Sequence, residues 1–317
     1  MAADLRRILV IKLGAFGDVV LALGPMAAIR RHHAGAHVTV LTTAPYAGFL
    51  AASPYADAMW VDDRPGWARP WSVLALGRRL RAGGFERVYD LQTSDRSSFY
   101  FRLMGRPAWS GIARGCSLPH DDPGRDRLHT LDRQHAQLAI AGIADVPPPE
   151  LGWATAPIGH LGPRPLFAIL VAGGAATRPV KRWPAAHFGA LARSLAARGV
   201  QPVLVGTAAE ADVIAAVRAA CPAALDLAGR TSLLDLATLA RGAALAIGND
   251  SGPMHLAAAV GCPSLVLFSA ASDPALTAPR GAHVRVLREA SLTDLTVERV
   301  VAAGLDSGLV RAEVPGP

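Results

Sequence analysis

Three short glycine-containing segments hold the residue types that could do chemistry, each where a β-branched run gives way to a helical pattern. The first is Lys12-Leu13-Gly14-Ala15-Phe16-Gly17-Asp18. Glycines let the backbone turn sharply and approach a ligand closely. The Gly-x-Gly-x-x-Gly spacing of a dinucleotide site is absent, and the next strand ends in Thr42-Thr43 rather than an acid. Nor does a Gly-Lys-Ser/Thr follow to make a P-loop. What remains is a carboxylate, Asp18, at a helix start. There it can cap the helix and complement its dipole, or face the open end of a sheet as a general base.

The second segment runs from Gly173-Gly174 through Thr177 and Arg178 to Lys181-Arg182-Trp183-Pro184. Backbone N–H groups, the Thr177 hydroxyl and the Lys181 ammonium could converge on phosphate oxygens; a solvated loop with ordinary surface cations is the other reading. The third is Gly248-Asn249-Asp250-Ser251-Gly252-Pro253-Met254-His255. Asp250 and Ser251 are good caps, Pro253 suits a first helical turn, and Gly252 bares the backbone. Such a helix start suits a diphosphate, or it is a well-capped buried helix with no ligand. His255 alone reads more readily as a hydrogen-bonded core histidine than as a catalytic one. Glu210, just past the turn Gly206-Thr207, can accept ribose hydroxyls or simply sit in the first turn of a helix.

These segments need a scaffold, and the flanking pattern supplies one. Strands are expected at 7–13, 37–42, 58–61 and 87–91, alternating with helices at 18–31, 45–53 and 71–82. Six prolines and three glycines between 144 and 165 (Pro147, Pro148, Pro149, Pro157, Pro163, Pro165; Gly152, Gly159, Gly162) mark a boundary. The alternation then restarts, with strands at 166–170, 202–205, 224–227, 243–247 and 264–268. Helices are expected between them at 185–198, 208–220, 233–241 and 253–260, and a last helix at 296–305 with Thr296 as N-cap. The pattern is that of two α/β domains, 1–155 and 156–317, each a doubly wound parallel sheet whose ligands sit beyond the carboxyl ends of its strands.

The chain has 317 residues, 51% hydrophobic and 18% charged, which is core-building composition. Its charge of +7 is spread evenly: 18 basic and 14 acidic groups up to residue 150, 14 and 11 after it. That suits an anionic ligand or membrane surface better than a nucleic-acid module. Only Lys12 and Lys181 are lysines; every other strong base is arginine. Three scattered cysteines, Cys116, Cys221 and Cys262, with no Cys-x-x-Cys, argue against a disulfide framework or structural zinc and point to a reducing compartment. Lys12 and Asp18 interrupt the only amino-terminal stretch that could mimic a signal peptide. The most apolar window, 255–272, contains Gly261 and Pro263 and reads as helix, turn and strand rather than a span.

Taken in order, the stretches at 7–30, 181–199, 204–213 and 227–268 resemble glycosyltransferase family 9, the lipopolysaccharide heptosyltransferases and their relatives. The Asp-Ser-Gly-Pro-Met-His segment is the specific part; residues 62–160 match loosely. The resemblance implies a GT-B fold: two Rossmann-like domains facing a central cleft, with the terminal helix crossing back to the first. The first would bind acceptor and the second nucleotide sugar. It implies inverting transfer of a sugar, commonly a heptose from an ADP-linked donor, to a lipopolysaccharide or other cell-envelope saccharide. By position Asp18 looks like the family's base, Lys181 like its diphosphate-binding lysine and Glu210 like its ribose-binding acid. Asp250, Ser251, Gly252 and His255 fall on the donor segment, with Thr177 beside it. For the acceptor, Gly14, Gly17, Arg64, Arg69 and Arg96 are the candidates. One departure from relatives is Ser269-Ala270-Ala271-Ser272, where a glycine-containing turn often follows the last strand.

No cofactor or metal is required if lysine and helix supply the charge, and no Asp-x-Asp pair appears. The expected partners are a nucleotide sugar and an anionic lipid-linked saccharide, with no nucleic acid. The expected location is cytoplasmic, with peripheral contact at the inner membrane face. Two other readings are a catalytically inactive nucleotide-sugar-binding protein of envelope assembly and a sugar-nucleotide 2-epimerase that needs no acceptor.

Overall fold

Strands covered on both faces read as unbroken apolar runs, and the computed structural model, which describes residues 5–66, 68–175 and 177–310, gathers those runs into two all-parallel sheets. The first sheet holds β1 (Arg7–Ile11), β2 (His37–Thr42), β3 (Ala58–Val61), β4 (Arg87–Asp90), β5 (Trp109–Gly111) and β6 (Leu118–Pro119), in the order β3-β2-β1-β4-β5-β6. Its helices are α1 (Phe16–Leu21), α2 (Leu23–His32), α3 (Ala44–Ala51), α4 (Pro70–Ala82), α5 (Asp95–Leu103) and α6 (Thr130–Ile140). The second sheet holds β7 (Phe167–Val171), β8 (Gln201–Leu204), β9 (Leu225–Asp226), β10 (Leu245–Asn249), β11 (Ser264–Phe268) and β12 (Val284–Arg288), in the order β12-β11-β10-β7-β8-β9. Its helices are α7 (Ala185–Ala197), α8 (Ala211–Ala220), α9 (Leu233–Gly242), α10 (Gly252–Ala259), α11 (Pro274–Thr277) and α12 (Val297–Gly304).

Counted from its own first strand, each sheet has the same order, 3-2-1-4-5-6, the Rossmann arrangement. The order reverses between β1 and β4 in the first sheet and between β7 and β10 in the second. Register is fixed there by pairs such as Ile11 with Asp90 and Val171 with Gly248. In such sheets the crevice at the reversal, beyond the carboxyl ends of the strands, is where ligands bind. The chain divides into two compact units between Trp153 and Ala154. Leu9, Ile11, Leu80, Val88, Tyr100 and Trp109 centre the core of one; Leu170, Trp183, Phe188, Leu245 and Leu267 that of the other.

Several elements differ from the sequence expectation. The helix expected over 18–31 breaks at Ala22, because Pro25 has no N–H to offer the carbonyl of Leu21. Gly24, just past the break, admits the backbone of Pro147, whose carbonyl oxygen would lie 2.1 Å from any Cβ at that position. The strand expected at 243–247 runs two residues later, which buries Asn249 at its end. A 3-10 turn at Ala208–Glu210 replaces the first turn of the helix expected from 208. The elements α5, β5, β6, α6, α11 and β12 carry no expectation from sequence. The terminal helix packs on the second sheet. Val300 of α12 is fully buried in that core, and a Cβ at Gly304 would stand 3.3 Å from both Ile247 and Leu265.

Candidate functional site

At the first reversal, the loops after β1 and β4 are stitched together. The Leu13 N–H donates to Gln92 Oε1 at 2.8 Å, and Lys12 Nζ donates to the Leu91 carbonyl at 3.1 Å. Asp90, wholly buried at the end of β4, accepts the N–H groups of Gln92 and Thr93 at 3.1 and 2.9 Å through Oδ1. These bonds hold Thr93 at φ 45°, a left-handed conformation uncommon for a β-branched residue. Burial pushes the Asp90 carboxyl up to about 6, against the pull of Thr93, Ser97, Gln92 and Lys12. Burial likewise lowers the Lys12 ammonium, and Asp18 and Asp90 oppose that shift.

Beyond these loops opens a polar cavity of about 480 Å³, lined by Lys12, Asp18, Thr93, Ser94, Arg125, Asp126, Arg133 and Gln137 among others. Asp18 sits in the first turn of α1, where Oδ2 accepts the Ala15 N–H at 3.2 Å. The two readings of Asp18 are thus compatible: one oxygen caps the helix while the side chain lines the cavity. Its cationic neighbours are Lys12, Arg125 and Arg133. Arg125 is held by Asp126 at 2.8 Å, and Arg133 lies 3.6 Å from the same carboxylate. Gln137 of α6 ties the wall down through the carbonyls of Asp90 and Ser110, at 3.0 and 3.2 Å.

The arginines named from sequence lie elsewhere. Arg64 (φ 49°) donates to the Leu13 carbonyl at 2.6 Å and lines a second cavity, about 470 Å³, with Gly14, Tyr46 and Asp63. Gly14 has φ 130°, and a Cβ there would meet the Tyr46 ring at 2.9 Å, so glycine is required. Gly17 is buried inside α1. Arg96 on α5 donates to Tyr100 Oη at 3.2 Å beside a smaller apolar cavity of about 220 Å³, and Arg69 is exposed at the start of α4. The cations beside Asp18 come instead from the stretch before and within α6. Its charge-dense sequence, Asp121-Asp122-Pro123-Gly124-Arg125-Asp126-Arg127, was the available signal.

At the second reversal, Asn249 organises the backbone. Its Oδ1 accepts the Trp183 N–H at 2.9 Å, and its Nδ2 donates to the carbonyls of Ala172 and Gly173 at 3.0 and 2.9 Å. This draws the loop after β7 against the end of β10. Lys181 Nζ then meets Asp250 Oδ2 at 2.8 Å, with both side chains mostly buried, and Ser272 Oγ donates to the same oxygen at 2.9 Å. The Ser269–Ser272 turn thus supplies a hydrogen-bond donor to Asp250. Ser251 takes the expected N-cap position of α10 but makes no side-chain cap bond: its hydroxyl turns back to the Asn249 carbonyl at 3.0 Å. The helix start at Gly252 carries no side-chain cap.

Glu210 accepts the Gly174 N–H at 2.6 Å, the Thr207 N–H at 2.7 Å and the Thr207 hydroxyl at 3.0 Å. It joins two turns, and a Cβ on Gly173 would overlap its carboxylate at 1.8 Å. Thr177 is exposed in the same loop, and His255 is buried within α10. The structure therefore brings Lys181, Asp250 and the Gly252 helix start together with Asn249 and Ser272, which the sequence reading quoted within their segments but gave no role at the site. Among the described residues no three His, Cys, Asp or Glu side chains gather as a metal site.

Comparison with known proteins gives a consistent result. The family model described as glycosyltransferase family 9 (heptosyltransferase) matches residues 73–300. Lipooligosaccharide heptosyltransferase 2 of Haemophilus influenzae is 35% identical over 247 residues, covering 68% of this chain and 70% of that protein. Lipopolysaccharide heptosyltransferase 2 of Salmonella typhimurium is 30% identical over 240 residues, covering 67% and 68%. In fold, the chain is similar to E. coli ADP-heptose lps heptosyltransferase II, with a TM-score of 0.79 at 24% identity over 96% of this chain and 98% of that one. It is similar also to a family 9 glycosyltransferase of Veillonella parvula, with a TM-score of 0.83 at 22% identity over 98% of each.

Proposed function

The chain belongs to glycosyltransferase family 9, with two Rossmann-like domains of the GT-B fold, and from that premise we propose that it transfers a heptose, with inversion, from an ADP-linked donor to an anionic lipid-linked saccharide of the lipopolysaccharide type. The observation that carries the reading is the content of the two strand-order reversals. One holds a carboxylate in an open cationic cavity, the other an ammonium and an uncapped helix start. Those are the needs of glycosyl transfer: a proton acceptor for the attacking hydroxyl and positive charge for the departing diphosphate.

In this reading the acceptor hydroxyl attacks the anomeric carbon as the bond from that carbon to the diphosphate oxygen breaks. The hydroxyl proton passes to Asp18, a transfer worth roughly 10²–10⁴-fold. The electron pair leaves with ADP. Lys181 has three N–H donors, of which one is committed to Asp250, leaving two that would serve the leaving oxygens. The α10 start adds main-chain donors and the positive end of its dipole. Losing one such donor typically costs roughly 3–4 kcal/mol of barrier. A carboxylate has about four acceptor sites, and Glu210 uses three within the protein, which leaves capacity for one ribose hydroxyl. Lys12, Arg125 and Arg133 would receive acid groups of the acceptor around Asp18. The work would be done at the inner face of a membrane; no helix among the described residues is long and apolar enough to cross one.

The test is transfer itself. With a heptose-deficient lipopolysaccharide acceptor, ADP-heptose should give a product one heptose heavier by mass spectrometry, while GDP- and UDP-sugars should not. No product from any ADP-sugar would refute the reading.

A further inference from the structure

We propose that the outer face of α4 docks on the surface of an anionic phospholipid bilayer, with Trp71 as its interfacial anchor. The inner face of the helix is ordinary core: Leu76, Gly77 and Leu80 are buried, and a Cβ at Gly77 would stand 3.5 Å from Leu103. The outer face is not ordinary. Trp71 is 80% exposed and Leu74, one turn on, 38%. The same stripe continues through Ala75 to Arg78 and Arg81, all exposed. Single exposed apolar residues need no explanation; an indole and a leucine in line with cations on one helix do.

Among the described residues, no carboxylate forms an ion pair with the arginines around this stripe. Between residues 64 and 85 there are five arginines (Arg64, Arg69, Arg78, Arg79, Arg81) and no acidic residue. Arg79 stacks over Trp60 at 4.5 Å and Arg81 donates to the Leu103 carbonyl at 2.6 Å, so neither is neutralised by a carboxylate. Some arginines elsewhere on the surface are held by carboxylates, as with Arg30 and Asp57 at 2.8 Å or Arg31 and Asp145 at 3.2 Å. An unneutralised basic helix with an aromatic at one end matches a lipid interface, where indole rings settle at headgroup level and each nearby cation is attracted to anionic lipid. The placement suits that use. The helix starts beyond the carboxyl end of β3, the end of the sheet at which the Asp18 cavity opens.

This deepens the proposed function and rests on its lipid-linked acceptor, but its test reads separately. The full chain should co-sediment with phosphatidylglycerol-containing vesicles, much less with pure phosphatidylcholine, and be released by salt. Trp71→Ser should weaken partition roughly tenfold. Arg78→Glu, a change of two charges at about fivefold each, should weaken it about 25-fold. Both variants should keep wild-type transfer to a deacylated, water-soluble acceptor and lose it in proportion on vesicle-embedded acceptor. Absence of vesicle binding, or binding indifferent to both substitutions, would overturn the proposal, as would equally tight binding to duplex DNA that ignores Trp71→Ser. Vesicle binding that responds to both substitutions, in a chain that transfers no heptose, would leave the docking face standing and remove the heptosyltransferase reading.

Discussion

Asp18 and Lys181 meet different constraints. Asp18 serves both helix and cavity, so its replacement must keep the cap to isolate the chemistry. Asn retains an oxygen for the Ala15 N–H. We expect Asp18→Asn to lower kcat by roughly 10²–10⁴-fold with the donor KM within about twofold of wild type; turnover near the wild-type rate would remove Asp18 as the base. Lys181 is locked into a mostly buried pair with Asp250. Lys181→Met therefore loses leaving-group stabilisation and also strands a carboxylate, which is strongly destabilising where burial is deep. The double variant Lys181→Met/Asp250→Asn separates the two effects. Its melting temperature should recover toward wild type, while kcat stays depressed by a factor on the order of 10²–10³, as for a lost oxyanion donor. Recovery of kcat along with stability would show that Lys181 only satisfies Asp250.

At the scale of elements, close approach sets the sites. In β10 a Cβ on Gly248 would stand 2.5 Å from Val171 Cβ and 2.9 Å from Met254 Sδ, so glycine there lets β7, β10 and α10 converge on the Lys181 pair. In the first unit α2 is pinned to β4 by His33, whose Nε2 lies 2.7 Å from Tyr89 Oη. A helix C-terminus ordinarily favours a histidine cation. Here burial dominates and, with His32 and Arg87 nearby, lowers His33 to about 4. The unfolded chain thus binds the proton more readily than the folded one. His33 therefore contributes stability above about pH 6.5 that is lost as pH falls through about 4. Relative to His33→Gln, wild type should lose about 1–3 kcal/mol over that interval, measured by urea denaturation at several pH values. A constant difference between the two would mean that His33 is not held neutral.

For the molecule as a whole, the groups proposed for donor and for acceptor lie on separate sheets, each with its own core. Ligand binding should then stabilise selectively. ADP at a hundredfold excess over its Kd should add about 2.7 kcal/mol to the state that binds it, and hydrogen exchange should slow in the loops after β7 and β10. The loops after β1 and β4 should be unaffected by ADP alone. Protection confined to the first unit would invert the assignment of donor and acceptor.

The elements around the chemistry were legible in the residue pattern, because unbroken apolar runs and glycine-bearing turns are local signals. The alternation predicted two doubly wound sheets, and Asp18, Lys181 and the Asp250–Gly252 turn were visible as polar residues of the loops and helix starts that follow strands. Tertiary structure alone decided which side chains meet. The Arg125 and Arg133 wall arises because β4, β5 and α6 fold beside β1, although about a hundred residues of chain separate Asp18 from them. Asn249 becomes a hub only because β10 runs two residues further than its pattern suggests, and Ser272 reaches Asp250 from a turn whose sequence gives no sign of that partner. Periodicity reports burial along one segment; hydrogen-bond partners across segments depend on register and strand order, which no single segment encodes.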